Sequence, residues 1–124
     1  MNSSPARLAV IIGSFFSLLG VLLGAFAAHF LRPRLVAEGT IEVWQTAILY
    51  QWLHALALLA LGQGTLLRRG PIVCWTVGIL LFSGSLYLLA LDTTQKWAGP
   101  LTPLGGLFFI IGWVWFLVHL FRKA

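Results

Sequence analysis

The chain has 124 residues, 60% of them hydrophobic and only 9% charged, with a mean hydropathy of +0.95. A soluble domain carries nearer a quarter charged residues, so the bilayer is the expected solvent. At about 20 residues per crossing there is room for roughly four helices and for no separate catalytic domain. The net charge of +5 comes from basic residues at the ends of apolar runs, where membrane anchoring accounts for them, and nucleic-acid binding is not expected.

Met1–Ala6 is a short polar lead, and Arg7 precedes an apolar stretch from Leu8 to about Leu31. Ala25-Phe26-Ala27 looks like a signal cleavage site, but the apolar run is longer than a signal core, so it is read as a retained first span. Gly13, Ser17, Gly20, Gly24 and Ala28 recur at spacings of three and four, on one helical face, and Gly20 and Gly24 form a GxxxG. Such a face serves close packing inside a bundle or between copies of the chain, and both stay open. Leu31-Arg32-Pro33-Arg34 ends the helix, because proline removes a donor and disfavours helix before it. From Leu35 to Trp44 the pattern is mildly amphipathic and predicts a short interfacial helix, with Trp44 in the aromatic belt.

The second span is predicted over about 43–67, with Ala47, Gln51, His54, Ala55 and Leu58 on one face. Arg68-Arg69-Gly70-Pro71 forms a tight basic turn, and the third span covers 72–91. The lone cysteine, Cys74, lies in this apolar run, where it reads as a small buried residue rather than a metal or redox group. Asp92 to Gly99 is a loop with Lys96 and Trp97. Pro100-Leu101-Thr102-Pro103 opens a fourth span over about 101–121, in which Gly105, Gly106 and Gly112 give a close-packing face. Arg7, Arg68, Arg69, Arg122 and Lys123 fall on one side of this plan. Arg32, Arg34 and Lys96 fall on the other with the acids, so both termini are expected to be cytoplasmic. The predicted fold is all-α: a single integral membrane domain over 1–124, a four-transmembrane-helix bundle with a short interfacial helix between spans 1 and 2, in a bacterial-type inner membrane.

Each span carries a distinctive short motif. Gly24-Ala25-Phe26-Ala27-Ala28-His29 resembles GAFGAH, with Ala27 in place of the usual glycine. Tyr50-Gln51 with His54-Ala55-Leu56-Ala57-Leu58 resembles YQxxHALAL. Phe82-Ser83-Gly84-Ser85-Leu86-Tyr87-Leu88 resembles FSGSLYL. Thr102-Pro103-Leu104-Gly105-Gly106 resembles TPxGG and is followed by Gly112-Trp113. Together, in this order and over nearly the whole chain, these are similar to the YgdD-like family of small bacterial inner-membrane proteins, which has eukaryotic small transmembrane relatives. The family is a domain of unknown function, so the resemblance implies a fold and a membrane location and no activity.

The polar residues inside the spans carry the functional question. Gln51 and His54 stand near mid-membrane, Ser83, Ser85 and Tyr87 along the third span, and His29 and Thr102 near the outer ends of the first and fourth. An ionisable group in a span must find partners, so these residues form a candidate intramembrane polar site. They serve either as glue between helices or as a path for a proton or small solute. Haem would need two histidines at one depth, and His29 and His54 are offset by roughly 10 Å of helix rise. A zinc site would need about four ligands, which do not gather. With no GxSxG and one loop aspartate, no catalytic residues, cofactor or metal are expected. The expected role is non-enzymatic: a structural or accessory component that binds membrane lipids, another membrane protein or a second copy of itself. The alternative is an oligomeric channel or transporter using a polar track around His54.

Overall fold

The computed structural model describes residues 4–64 and 69–123, and among these every regular element is a helix. Arg68, and the end of the second predicted span at Leu67, lie outside the described residues. The first helix, α1 (Ser4–Phe30), is followed by α2 (Arg32–Glu38) and α3 (Ile41–Gln63). Then come α4 (Arg69–Leu91), a single 3-10 turn at Lys96–Ala98, and α5 (Leu101–Lys123). Three stretches are long and apolar enough to cross a membrane: α1, α4 and Lys96–Arg122, which takes in α5 as far as Arg122. The 23 residues of α3 would extend about 34 Å, enough for a crossing. Its apolar character is diluted by Gln45, Gln51 and His54, and two of these are buried against other helices.

The helices run alternately up and down. The central pair is α3 and α4; α1 lies mainly on α3 and α5 mainly on α4. Side chains of Ala9, Phe16, Ala55, Leu58, Leu61, Ile72, Trp75, Ile79 and Phe109 meet along their shared axis. The outward faces of α1 and α5 are rows of exposed Leu, Ile, Val and Phe. That is the distribution lipid requires, since apolar surface gains nothing there by turning inward.

Close approach relies on particular glycines. A side chain on Gly13 would come within 2.7 Å of the Ala55 carbonyl oxygen, and one on Gly105 would strike the backbone of Phe82. Gly20 and Gly112 face the rings of Trp52 and Trp75 in the same way. Gly24 and Gly106 are different: a Cβ at either would make ordinary contact with Ile48 or Phe82. The small face of α1 is therefore spent within the bundle, against α3.

The segment between α1 and α3 differs from the sequence expectation of a helix from Leu35 to Trp44. Here α2 starts earlier, with Pro33 in its first turn, where the missing N–H costs little. Gly39 ends it at φ +69, a left-handed conformation that only glycine adopts freely. Ile41–Trp44 then form the first turn of α3. The turn is fastened to the far end of α4. Arg34 Nε donates to the Leu91 carbonyl at 2.8 Å, and Thr40 Oγ1 donates to the Ala90 carbonyl at 2.5 Å. Both acceptors lie in the last turn of α4, whose carbonyls have no partner within the helix. Leu35, Trp44 and Ala90 pack beneath this clasp.

Two helices contain a wider π turn. In α1 it covers Leu22–Ala27, and in α4 it covers Ile79–Ser83. Such turns weaken the regular ladder and expose carbonyls to outside donors. The Leu23 carbonyl accepts both the Ala28 N–H and the indole N–H of Trp44, the latter at 3.0 Å.

Candidate functional site

The buried face of α3 carries Trp44, Ala47, Gln51, His54, Ala55, Leu58, Leu61 and Gly62. Spacings of three and four hold Ala47, Gln51, His54 and Leu58 on that face. Gln51 therefore enters the junction of α1, α3 and α4 and is 1% exposed. Its Nε2 donates to the Phe16 carbonyl of α1 at 2.8 Å, and its Oε1 accepts the Tyr87 hydroxyl of α4 at 2.6 Å. One amide thus bridges three helices. The Tyr87 ring rests edge-on against Trp44, with ring centroids 4.8 Å apart.

His54 looks toward α5 instead. The indole N–H of Trp113 lies 2.9 Å from Nε2, and Nδ1 lies 2.8 Å from the Tyr50 carbonyl one turn back. Indole is a donor only, so Nε2 accepts and the proton resides on Nδ1, where it bonds Tyr50. This fixes the neutral tautomer and commits both ring nitrogens. Phe109 stacks on the imidazole at 3.6 Å between centroids and 10° between planes. An imidazolium here would present a second N–H to the indole N–H and lose that bond.

The serines bond to backbone carbonyls and, for Ser85, also to a side chain of α5. Ser83 Oγ donates to the Ala47 carbonyl of α3 at 2.7 Å. Ser85 Oγ bonds the Phe82 carbonyl and pairs with Thr102 Oγ1 across to α5. His29 is not brought to this group: it is exposed at the far end of α1, edge-on to Phe30. The sequence-selected residues therefore form three separate junctions, one at Gln51–Tyr87, one at Ser83 and one at Ser85–Thr102, with His54 in a fourth toward α5. No hydrogen bond among the described residues joins these junctions to His29. Among the described residues, Ser17 Oγ and Trp75 Nε1 are buried without a partner, and neither touches Gln51 or His54 by hydrogen bond.

Four participants were not selected from sequence. Trp113, Trp44, Thr40 and Arg34 each supply a bond between helices. Tryptophan and basic residues near span ends read as interface anchors, and that reading hides their inward use. A groove of about 360 Å³ opens between α3 and α5 on the terminal side of His54, lined by Ala57, Ala60, Leu61, Gly64, Trp75, Trp113 and Phe116. No residue of the polar junctions other than Trp113 lines it.

Outside the helices, Asp92 organises the loop after α4. Its carboxylate accepts from the Thr94 hydroxyl at 2.6 Å, the Thr94 N–H at 3.0 Å and the Gln95 amide at 3.1 Å. The Thr94 hydroxyl first, then Gln95 and the Thr94 N–H, together with the charge of Arg34, hold the carboxyl down at about 2.

The sequence compares with known proteins over nearly its full length. Residues 23–106 match the family model described as "Protein of unknown function (DUF423)". A UPF0382 membrane protein of Staphylococcus aureus (strain bovine RF122 / ET3-1) is 39% identical over 122 residues, covering 95% of this chain and 98% of the relative. The UPF0382 membrane protein YwdK of Bacillus subtilis is 38% identical over 117 residues, covering 88% and 92%. A UPF0382 membrane protein of Haemophilus influenzae is 40% identical over 111 residues, covering 85% and 84%. No solved structure matches the chain.

Proposed function

Because the chain belongs to the DUF423 family of membrane proteins, whose activity is unknown, we propose its role from geometry: a permanently fastened four-span bundle that acts as a non-catalytic accessory component of the membrane. In this reading α1, α3, α4 and α5 all cross a bacterial-type inner membrane. Both termini are cytoplasmic, and α2 lies in the outer interface. The excess of Arg and Lys beside Ser4, Arg69 and Arg122, with the acids at the α2 end, supports that orientation. Gln51 and His54 are compatible with a crossing because their hydrogen-bonding atoms meet partners on neighbouring helices or backbone, which is how such groups are accommodated in lipid.

The single observation that carries the role is the full engagement of Gln51 and His54. A proton relay needs a group that can gain and lose partners, and the His54 ring has both nitrogens occupied in one tautomer. Gln51 is clamped by α1 and α4 at once. These bonds set the rotation of α3 and leave lipid or another membrane protein as the partners of the bundle's outer surface.

The test is proton flux. The purified chain is reconstituted in vesicles holding a pH-sensitive dye, and a potassium diffusion potential is applied. The expected leak equals that of protein-free vesicles. A leak that exceeds it and vanishes in His54→Ala would overturn this reading in favour of a channel. Reagent access to single cysteines at the two ends of α3, in a Cys74→Ala background, tests the crossing: labels reached from the same side would sink the four-span arrangement.

A further inference from the structure

The end of the bundle that carries Ser4 and Arg69 holds a cleft that none of the polar junctions uses. It has a volume of about 260 Å³ and is lined by Ser4, Pro5, Leu8, Arg69, Ile72 and Val73. Its walls are the first turns of α1 and α4, which run in the same direction. Ser4 and Leu8 stand one turn apart on α1, and Arg69, Ile72 and Val73 share one face of α4. The lining changes character along the helix axes. A hydroxyl and a guanidinium stand at the chain-end side, and Leu8, Ile72 and Val73 follow about 6 Å deeper. Arg69 is exposed, and Leu8 and Val73 are at least half exposed, so the cleft opens sideways toward lipid.

No carboxylate side chain neutralises this cation. Glu38, Glu42 and Asp92 are the acidic residues of the chain, and all lie at the opposite end. Asp92 is separated from Arg69 by the length of α4, about 34 Å. Arg7, exposed beside Leu8, adds a second positive charge. A cation set above an apolar wall complements an amphiphile with an anionic head and a hydrocarbon tail. A zwitterionic lipid also brings a phosphate, but its own ammonium would meet Arg69 and Arg7. Taking about 30 Å³ per water, the cleft holds the equivalent of roughly nine waters. That suits a phosphate and the first part of one chain, with the rest of the lipid left in the bilayer.

We propose that this cleft seats one anionic phospholipid of the cytoplasmic leaflet, its phosphate against Arg69 and Ser4 and the start of one acyl chain against Leu8, Ile72 and Val73. The leaflet assignment rests on the orientation proposed above; the site itself does not. The association names a ligand class for the bundle's outer surface and places it away from Gln51 and His54.

Native mass spectrometry of the full chain, with phosphatidylglycerol and phosphatidylcholine supplied together, tests it. The expected result is one phosphatidylglycerol retained in preference to phosphatidylcholine. Arg69→Gln lowers that retention about fivefold. Val73→Trp fills the apolar wall and lowers it with the guanidinium in place. Arg122→Gln, a basic residue outside the cleft, leaves it unchanged. Equal retention of the two lipids, or equal losses in Arg69→Gln and Arg122→Gln, would overturn the site. Far-UV circular dichroism on heating establishes that each variant is folded. Side-specific labelling of Ser4→Cys in a Cys74→Ala background separates the two claims. A cytoplasmic label with no lipid preference sinks the cleft alone, and a preference with a label on the far side sinks only the leaflet assignment.

Discussion

The α2 end of the bundle shows its directed bonds most plainly, the terminal end its packed glycines. From the middle of the bundle to the α2 end, helices are joined by directed bonds: His54 to Trp113, Gln51 to Phe16 and Tyr87, Ser83 to Ala47, Ser85 to Thr102, Trp44 to Leu23, and Arg34 and Thr40 to the end of α4. Toward the terminal end, glycines packed under other side chains stand out. Gly62 receives Ala6 and Val10, Gly70 and Gly112 receive the rings of Trp115 and Trp75, and two clefts stay open. The difference is instructive. A glycine under a ring fixes how close two helices come but allows them to turn, whereas a hydrogen bond to one named carbonyl fixes the turn as well. Bonds to named carbonyls thus set orientation, and packed glycines set distance.

The comparison can be broken most directly where distance matters most. Gly105→Val would drive a branched side chain into the Phe82 backbone, and a loss of about 3 kcal/mol is expected. Thermal melting in detergent reads it, and a variant that melts with its parent would show that α5 is not closely seated on α4. Gly24→Ala, in contact only with Ile48, is the control and should shift stability by less than about 0.5 kcal/mol.

The directed bonds come next. His54→Ala removes the Trp113 bond and the Phe109 stack, and about 2–3 kcal/mol is expected from the cavity and the lost ring pair. Gln51→Leu keeps the volume but strands the Tyr87 hydroxyl, at about 1–3 kcal/mol. Adding Tyr87→Phe should recover part of that loss, because the stranded donor is then gone. If the double variant is no better than Gln51→Leu alone, the two groups are not coupled.

The smallest effect belongs to the loop. With a folded pKa near 2 and an ordinary unfolded value near 3.9, Asp92 contributes stability above the unfolded value, and the contribution is lost as pH falls toward 2. A carboxyl carbon resonance for Asp92 that titrates near 4 in the folded protein would show that the Thr94 and Gln95 bonds are not made in solution.

The sequence made some of this legible and hid the rest for physical reasons. Gln51 and His54 stood out because apolar surroundings make a polar group conspicuous. Their partners did not. Phe16, Ala47 and Leu23 act through carbonyl oxygens, which every residue possesses, so no side-chain pattern marks them. Trp113 is conspicuous but ambiguous, since an indole serves a lipid interface as well as a buried acceptor. The π turns in α1 and α4 carry no composition of their own, and without them the face on which Trp44 meets Leu23 is not predictable. His29 shares a motif with the small face of α1, lies beyond the π turn, and is exposed at the end of the helix. The boundaries differ from the helix expected over Leu35 to Trp44 because Gly39, inside that stretch, stops α2 in a left-handed conformation.

The clasp at the α2 end also bears on the order in which the chain is assembled. Arg34 and Thr40 bond carbonyls that lie 57 and 50 residues later in the sequence. During synthesis these donors emerge long before their acceptors exist. Until α4 is complete, Gly39 can turn the chain and Leu35 can pack on Trp44, but α2 lacks its two bonds to α4. The first two long helices can meet through Gly13 and Gln51 beforehand, since the partners Ala55 and Phe16 lie in those same two helices. The clasp therefore closes late and registers that α4 has reached full length. We expect a chain truncated within α4 to leave a cysteine placed in α2 open to reagents that the full chain excludes.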